Sequence, residues 1–160
     1  MTITLGIDPG SRVTGYGLVE KDGPRLTLIA AGQIKTRNRT KLPERLTEIY
    51  QELKKVIIDY SPDEAAVEDI FYAKNVRSAI RLGHARGVAL LAAAEAGLKV
   101  FEYSATTIKS SMVGYGHADK SQVSLMIRHL LKTDQEFSLD ATDALSVAIC
   151  HVNQNPVLVR

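Results

Sequence analysis

The first 34 residues hold three β-like runs joined by connections too short to contain a helix, and that order constrains the fold more than any other feature. Residues 3–7 (ITLGI) are a short apolar run ended by Asp8-Pro9-Gly10, and residues 13–20 and 25–34 are two more, separated by Asp22-Gly23-Pro24. Turns this tight set neighbouring strands antiparallel, so the chain opens as a meander. The hydrophobic period then changes. Leu42, Leu46, Ile49, Leu53, Val56, Ile57 and Tyr60 recur at helical spacing, Pro43 suits a first turn, and Ser61-Pro62 stops the segment.

Strand and helix alternate from there. "EAAVEDIF" after Pro62 reads as a fourth strand that is apolar until it meets Glu68 and Asp69. A helix over about 75–96 carries Val76, Ala79, Ile80, Gly83, Gly87 and Leu90 on one face and closes at Gly97. KVFEY (99–103) is a fifth strand, followed by a short helix through Ile108 to Met112 and the loop Gly114-Tyr115-Gly116. Asp119 with Gln122 three residues on approximates a capping box ahead of the stripe Val123, Met126, Ile127, Leu130 and Leu131. A last helix runs from about Ser138 to His151. Three antiparallel strands, then helix, strand, helix, strand and more helices make an α/β layer fold with one mixed five-stranded sheet flanked by helices. That order resembles the ribonuclease H-like fold. At 160 residues the chain suits one core, with residues 1–153 as a single domain and 154–160 as a flexible tail.

Composition narrows the classes. The net charge of +2 neither requires nor excludes a polyanionic partner, but its distribution is uneven. No acid falls between Asp69 and Glu95, where Lys74, Arg77, Arg81 and Arg86 lie; Lys35, Arg37, Arg39 and Lys41 form a second basic stretch; Lys109, Lys120, Arg128 and Lys132 form a third. Such stretches suit either a phosphate-facing surface or ordinary solvated faces. Cys150 stands alone, which excludes an intramolecular disulfide and fits a reducing cytoplasm. The longest strongly apolar run, Val88 to Ala94, is too short to cross a bilayer, and the expectation is a soluble cytoplasmic protein.

The acids are the main clue to function. Asp8 ends the first strand, Glu68 ends the fourth, and Asp140 and Asp143, three apart, project from one face of the last helix. Each abuts or interrupts apolar sequence. Four converging carboxylates repel one another unless a cation neutralises them, and hard divalent ions bound by oxygen, Mg2+ first, are the natural counter-ions. Such a constellation suits two-metal phosphodiester hydrolysis. No cysteine–histidine pattern for zinc exists. Other readings stay open on spacing alone: Asp8 as a turn residue, Asp140 as a helix N-cap or dipole partner. Glu68 and Asp69 point to opposite faces of a strand, so at most one faces a site above the sheet.

Together "GIDPGSRVTGYG", "VEDIFYAKN", "HADKSQV" and "DATDALSVAI" resemble the bacterial RuvC crossover-junction endodeoxyribonucleases, in that family's order and spacing, from about Thr4 to His151. The resemblance implies a homodimeric, Mg2+-dependent nuclease with two ions per active site, Mn2+ being able to substitute.

 

The implied substrate is a four-way (Holliday) DNA junction, nicked symmetrically in two strands to leave 5′-phosphate and 3′-hydroxyl ends during homologous recombination and DNA repair. On that match Asp8, Glu68, Asp140 and Asp143 are the catalytic, metal-binding acids, and the family sometimes carries histidine where this chain has Asp140. Lys109 and Lys120 match basic positions near the scissile phosphate. Phe71 matches an aromatic placed against an unpaired junction base. Asn75, Arg77 and Arg81 are candidate backbone contacts. The second helix, whose small and apolar residues Gly83, Gly87, Ala89, Leu90 and Ala93 allow close helix approach, is the expected dimer interface, half of that face packing on the sheet and the residues that cross the interface staying open. A RuvA–RuvB branch-migration complex is an expected partner. His84, His117, His129 and His151 receive no catalytic role.

Three rivals are weaker. An actin-like ATPase also opens with a strand, Asp, Gly and a hairpin, but needs a longer two-lobed chain. A catalytically silent module that binds branched DNA gains nothing from a negative pocket. An RNA-directed nuclease would need a reader of the ribose 2′-hydroxyl, and none is evident.

Overall fold

The computed structural model describes residues 1–69, 75–113 and 119–154. Five strands, β1 (Thr2–Asp8), β2 (Val13–Asp22), β3 (Arg25–Lys35), β4 (Glu64–Glu68) and β5 (Lys99–Tyr103), form one sheet in the order β3-β2-β1-β4-β5. The meander pairs antiparallel, whereas β4 pairs parallel with both β1 and β5. The helices are α1 (Leu42–Tyr60), α2 (Val76–Glu95), α3 (Ala105–Val113), α4 (Lys120–Leu131) and α5 (Leu139–Gln154). The expected mixed sheet is therefore present, and Gln154, first residue of the expected tail, is still helical.

Period two sorts the strand side chains. Leu5, Ile7, Ala65 and Val67 pack with Ile49 and Leu53 of α1 and Ala85 and Ala89 of α2. The alternate residues face the other helices: Val19 meets Ile127, Leu145 and Ile149, and Ala66 meets Ile108, Val147 and Cys150. Every residue of α5 from Ala141 to Val152 except Asp143 is buried, because this helix lies between the sheet and its neighbours α3 and α4. Gly6 makes the close approach possible, since a Cβ there would stand 2.1 Å from the main-chain oxygen of Ala144.

Polar contacts fix α5 lengthwise. His151 Nε2 lies 2.8 Å from Glu64 Oε1, Tyr103 Oη lies 2.6 Å from His151 Nδ1, and the Thr4 hydroxyl donates to the same Glu64 oxygen at 3.0 Å. Ser138 Oγ accepts the Ala141 N–H at 3.3 Å and so caps the helix start. Asp140 is two residues further on, within the first turn of the helix, which removes the N-cap alternative for it.

The division of α2 between sheet and solvent, open in the sequence, is settled by burial. Ala89 and Ala93 are fully buried in the chain's own core together with Ala85 and Ala92. Val76 and Ile80 with Gly83, Gly87 and Leu91 form the stripe left in solvent, Leu91 being 58% exposed. The alanines were ambiguous in sequence because small residues suit a tight sheet contact as well as a tight helix pair. No described helix is long and apolar enough to cross a membrane.

Candidate active site

The parallel register of β1 and β4 brings two acids side by side. Ile7 is opposite Val67, so Asp8 and Glu68 are the next residues at one end of the sheet. Both share the face of Gly6 and Ala66, the face covered by α5. Asp8 is also opposite Gly15 of β2, and a Cβ on Gly15 would stand 1.9 Å from the main-chain oxygen of Asp140. The first turns of α5 thus come down onto the strand that flanks Asp8, and carry Asp140 and Asp143 with them. Asp8 is no turn-former: the Pro9-Gly10 turn is held by Thr14, whose hydroxyl accepts from Gly10 N at 3.2 Å and donates to Gly10 O at 2.9 Å.

Asp69 takes the opposite side. Its carboxylate pairs with Arg86 at 3.4 Å, and the same guanidinium binds Glu102 and, through Nε, the Glu68 main-chain oxygen at 3.3 Å. Arg86 therefore ties α2 to the ends of β4 and β5 and leaves the Glu68 side chain to the acid group.

The electrostatics follow from this crowding. Burial, then the charges of Glu68, Asp143 and Asp140, push the Asp8 carboxyl up to about 7, against a smaller opposing pull from Lys120. Burial followed by Asp143 raises Glu68, with Lys109 opposing. Asp143 is raised by burial, with Lys120 lowering it, Asp140 raising it and Lys109 lowering it. Lys109 of α3 and Lys120 of α4 thus both act on the acids through their charge. A cavity of about 210 Å³ lies between them, lined by Glu68, Asp143, Lys109 and Lys120 over an apolar floor that includes Ile108 and Val123.

The donor chemistry fits a hard divalent cation: carboxylate oxygens, partly buried and mutually repelling. Among the described residues, however, no three acid, histidine or cysteine side chains stand together in ligating geometry. The two observations measure different things. Charges influence one another across several ångströms, while ligation requires all donors at roughly 2.0–2.1 Å from one Mg2+, so side-chain rotation is needed to close the ring.

The remaining candidates divide. Asn75 Oδ1 caps α2, accepting from Arg77 N at 2.9 Å and Ser78 N at 3.4 Å, which leaves its amide NH2 for other contacts. Arg77 and Arg81 are exposed on the first turns of α2. Arg77 is nine residues before Arg86, or roughly 13 Å along the helix axis, on the stretch that projects past the acid end of the sheet. Phe71, Lys74, His117 and the Gly114–Gly116 loop lie outside the described residues. Sequence reasoning missed Gly15, whose signal was a glycine directly across a hairpin from a candidate ligand.

The sequence model for crossover junction endodeoxyribonuclease RuvC matches residues 4–151. A protein of that name from Legionella pneumophila is 52% identical over 94% of this chain and 87% of its own. Its namesake from Vibrio parahaemolyticus is 49% identical over 99% and 91%. Among solved structures, T. thermophilus RuvC in complex with Holliday junction substrate superposes with a TM-score of 0.91 at 31% identity, covering 98% of this chain and 96% of that one. A yeast mitochondrial Holliday junction resolvase, at 12% identity and a TM-score of 0.68, shares the fold.

Proposed function

The chain belongs to the RuvC family of crossover junction endodeoxyribonucleases, and from that membership we propose how its site resolves a four-way DNA junction. It is an endonuclease of DNA recombination and repair, a hydrolase of the phosphodiester bond. Nucleases of the family are metal-dependent, and we assign two Mg2+ ions per site, replaceable by Mn2+, to Asp8, Glu68, Asp140 and Asp143. When bound, the ions supply an activated water and charge stabilisation at the leaving oxygen.

The observation that carries this reading is the gathering of half-buried acids from two strand ends and one helix beside two lysines. Asp8 and Glu68, on the sheet, give the site a rigid base, and Asp140 and Asp143 close it from α5. Lys109 and Lys120 hold the scissile phosphate as point charges and stabilise the extra negative charge that develops on it. Water adds to phosphorus, the 3′-oxygen leaves and takes a proton, and the products are a 5′-phosphate and a 3′-hydroxyl. Arg77 and Arg81, with the Asn75 amide, contact the backbone beyond the sheet's end, and Phe71 stacks on an unpaired base.

A two-fold dimer presents two such sites to a two-fold junction, which accounts for paired nicks. The exposed stripe Val76, Ile80, Gly83, Gly87 and Leu91 supports a second copy of the chain as its occupant. We place the enzyme in the cytoplasm, with junctions delivered by a RuvA–RuvB complex.

Cleavage of a synthetic four-way junction by wild type and Asp143→Asn, with Mg2+ or EDTA, tests the assignment beside linear duplex and RNA–DNA hybrid. Paired nicks in the junction alone, lost with EDTA and in the variant, are expected. Binding without cutting under every metal tried would replace it with a silent junction-binding module.

A further inference from the structure

A second concavity, of about 510 Å³, lies two strands away from Asp8 and is lined by five basic residues: Arg12, Lys35, Arg37, Arg39 and Arg45. They come from the β1–β2 loop, the end of β3, the segment after it and the first turn of α1. Thr36 joins the first two, its N–H donating to Arg12 O at 3.0 Å and its hydroxyl to the same oxygen at 3.2 Å. Only Arg37 is neutralised, by Glu48 at 2.6 Å. Among the described residues Arg12, Lys35, Arg39 and Arg45 have no ion pair, and Arg45 Nε is buried without a hydrogen-bond partner.

Two features argue that this charge has an occupant. Arg39 holds a left-handed backbone (φ 67°), and among the described residues it is the one non-glycine residue with positive φ that does not cap a helix end. Glycine or asparagine would be more comfortable there. The groove also opens at the acid end of the sheet: Lys35 is opposite Val13, and Gly15, two residues on, is opposite Asp8. Two strand spacings are roughly 10 Å, so the groove stands within a few nucleotides of the acids.

We propose that this groove binds the DNA phosphodiester backbone of a junction arm at a fixed short distance from the scissile phosphate. The inference rests on the junction-resolving function proposed above. Four unpaired cations at a fixed offset from the acids would set the register of the strand, so that one phosphate, and not its neighbours, meets the carboxylates.

The test is binding of a fluorescent four-way junction in EDTA, from about 50 to 300 mM KCl, by wild type, Lys35→Gln/Arg39→Asn, and a charge-matched control, Lys55→Gln/Lys99→Gln. Each lost phosphate contact lowers the slope of log affinity against log salt by roughly 0.9. The groove variant is expected to lose roughly two in slope and about tenfold in affinity at 100 mM salt, the control neither. An unchanged groove variant, or an equal loss in the control, overturns the proposal. A wild type that neither binds nor cuts the junction overturns the functional reading instead. Arg39→Asn alone, which suits the local backbone, reads a single contact should the double variant fold poorly.

Discussion

Gly15 and Asp140 are in main-chain contact: no side-chain carbon fits on Gly15, because it would stand 1.9 Å from the Asp140 oxygen. The obstacle is backbone, so it cannot be relieved by a rotamer change. Gly15→Ala must lift the start of α5 from the sheet. We expect a loss of about 2–4 kcal/mol in stability and at least a hundredfold in cleavage, read by urea denaturation and junction nicking. Wild-type activity in a folded Gly15→Ala protein would show that the site tolerates a displaced helix.

Asp8→Asn should separate chemistry from folding. It removes one buried charge from the acid group, so junction binding and fold persist, cleavage is lost, and the metal-free protein at pH 8 gains about 1–2 kcal/mol. A destabilised variant would assign Asp8 a structural role.

The raised carboxyls also set a pH dependence. Asp8 titrates near 7 in the fold against 3.8 as a free group, so the proton is bound more tightly in the folded state. Its stabilising contribution is complete below about pH 4 and is lost as pH rises through about 7. In EDTA, stability from this site should therefore fall between pH 5 and 8 by about 1–2 kcal/mol, and Glu68 and Asp143 shift in the same direction. Saturating Mg2+ should abolish the trend; a trend unaffected by metal would place its origin elsewhere.

Lys109→Ala and Lys120→Ala should each slow single-turnover cleavage by roughly tenfold to a hundredfold while changing junction affinity far less. An equal fall in affinity would make them ordinary backbone contacts.

Ile80→Glu/Leu91→Glu changes two exposed side chains of α2, so circular dichroism should not move. Sedimentation should report monomers, and paired nicking should give way to single nicks. Retained dimers would move the interface to another face.

Much of this was legible in the chain itself. The meander, the alternating helices and the four acids follow from turn residues, hydrophobic period and the rarity of carboxylates in apolar runs. The choice between Glu68 and Asp69 was not, because alternation says only that they diverge; Arg86, distant in sequence, decides which faces α5. The division of α2 between sheet and solvent stayed open for a related reason. Helical spacing identifies stripes but does not say which stripe meets the sheet, and on α2 the exposed stripe also carries large hydrophobic residues, Val76, Ile80 and Leu91. Gly15 escaped notice because its partner lies 125 positions later.

The docking of α5 has a consequence for biosynthesis. Sheet residues bearing Asp8 and Glu68 leave the ribosome well before Asp140 and Asp143. A nascent or prematurely ended chain can begin to assemble the sheet yet holds only half of its acids, so the capacity to cut DNA arrives only when the helix that seals the core has been made.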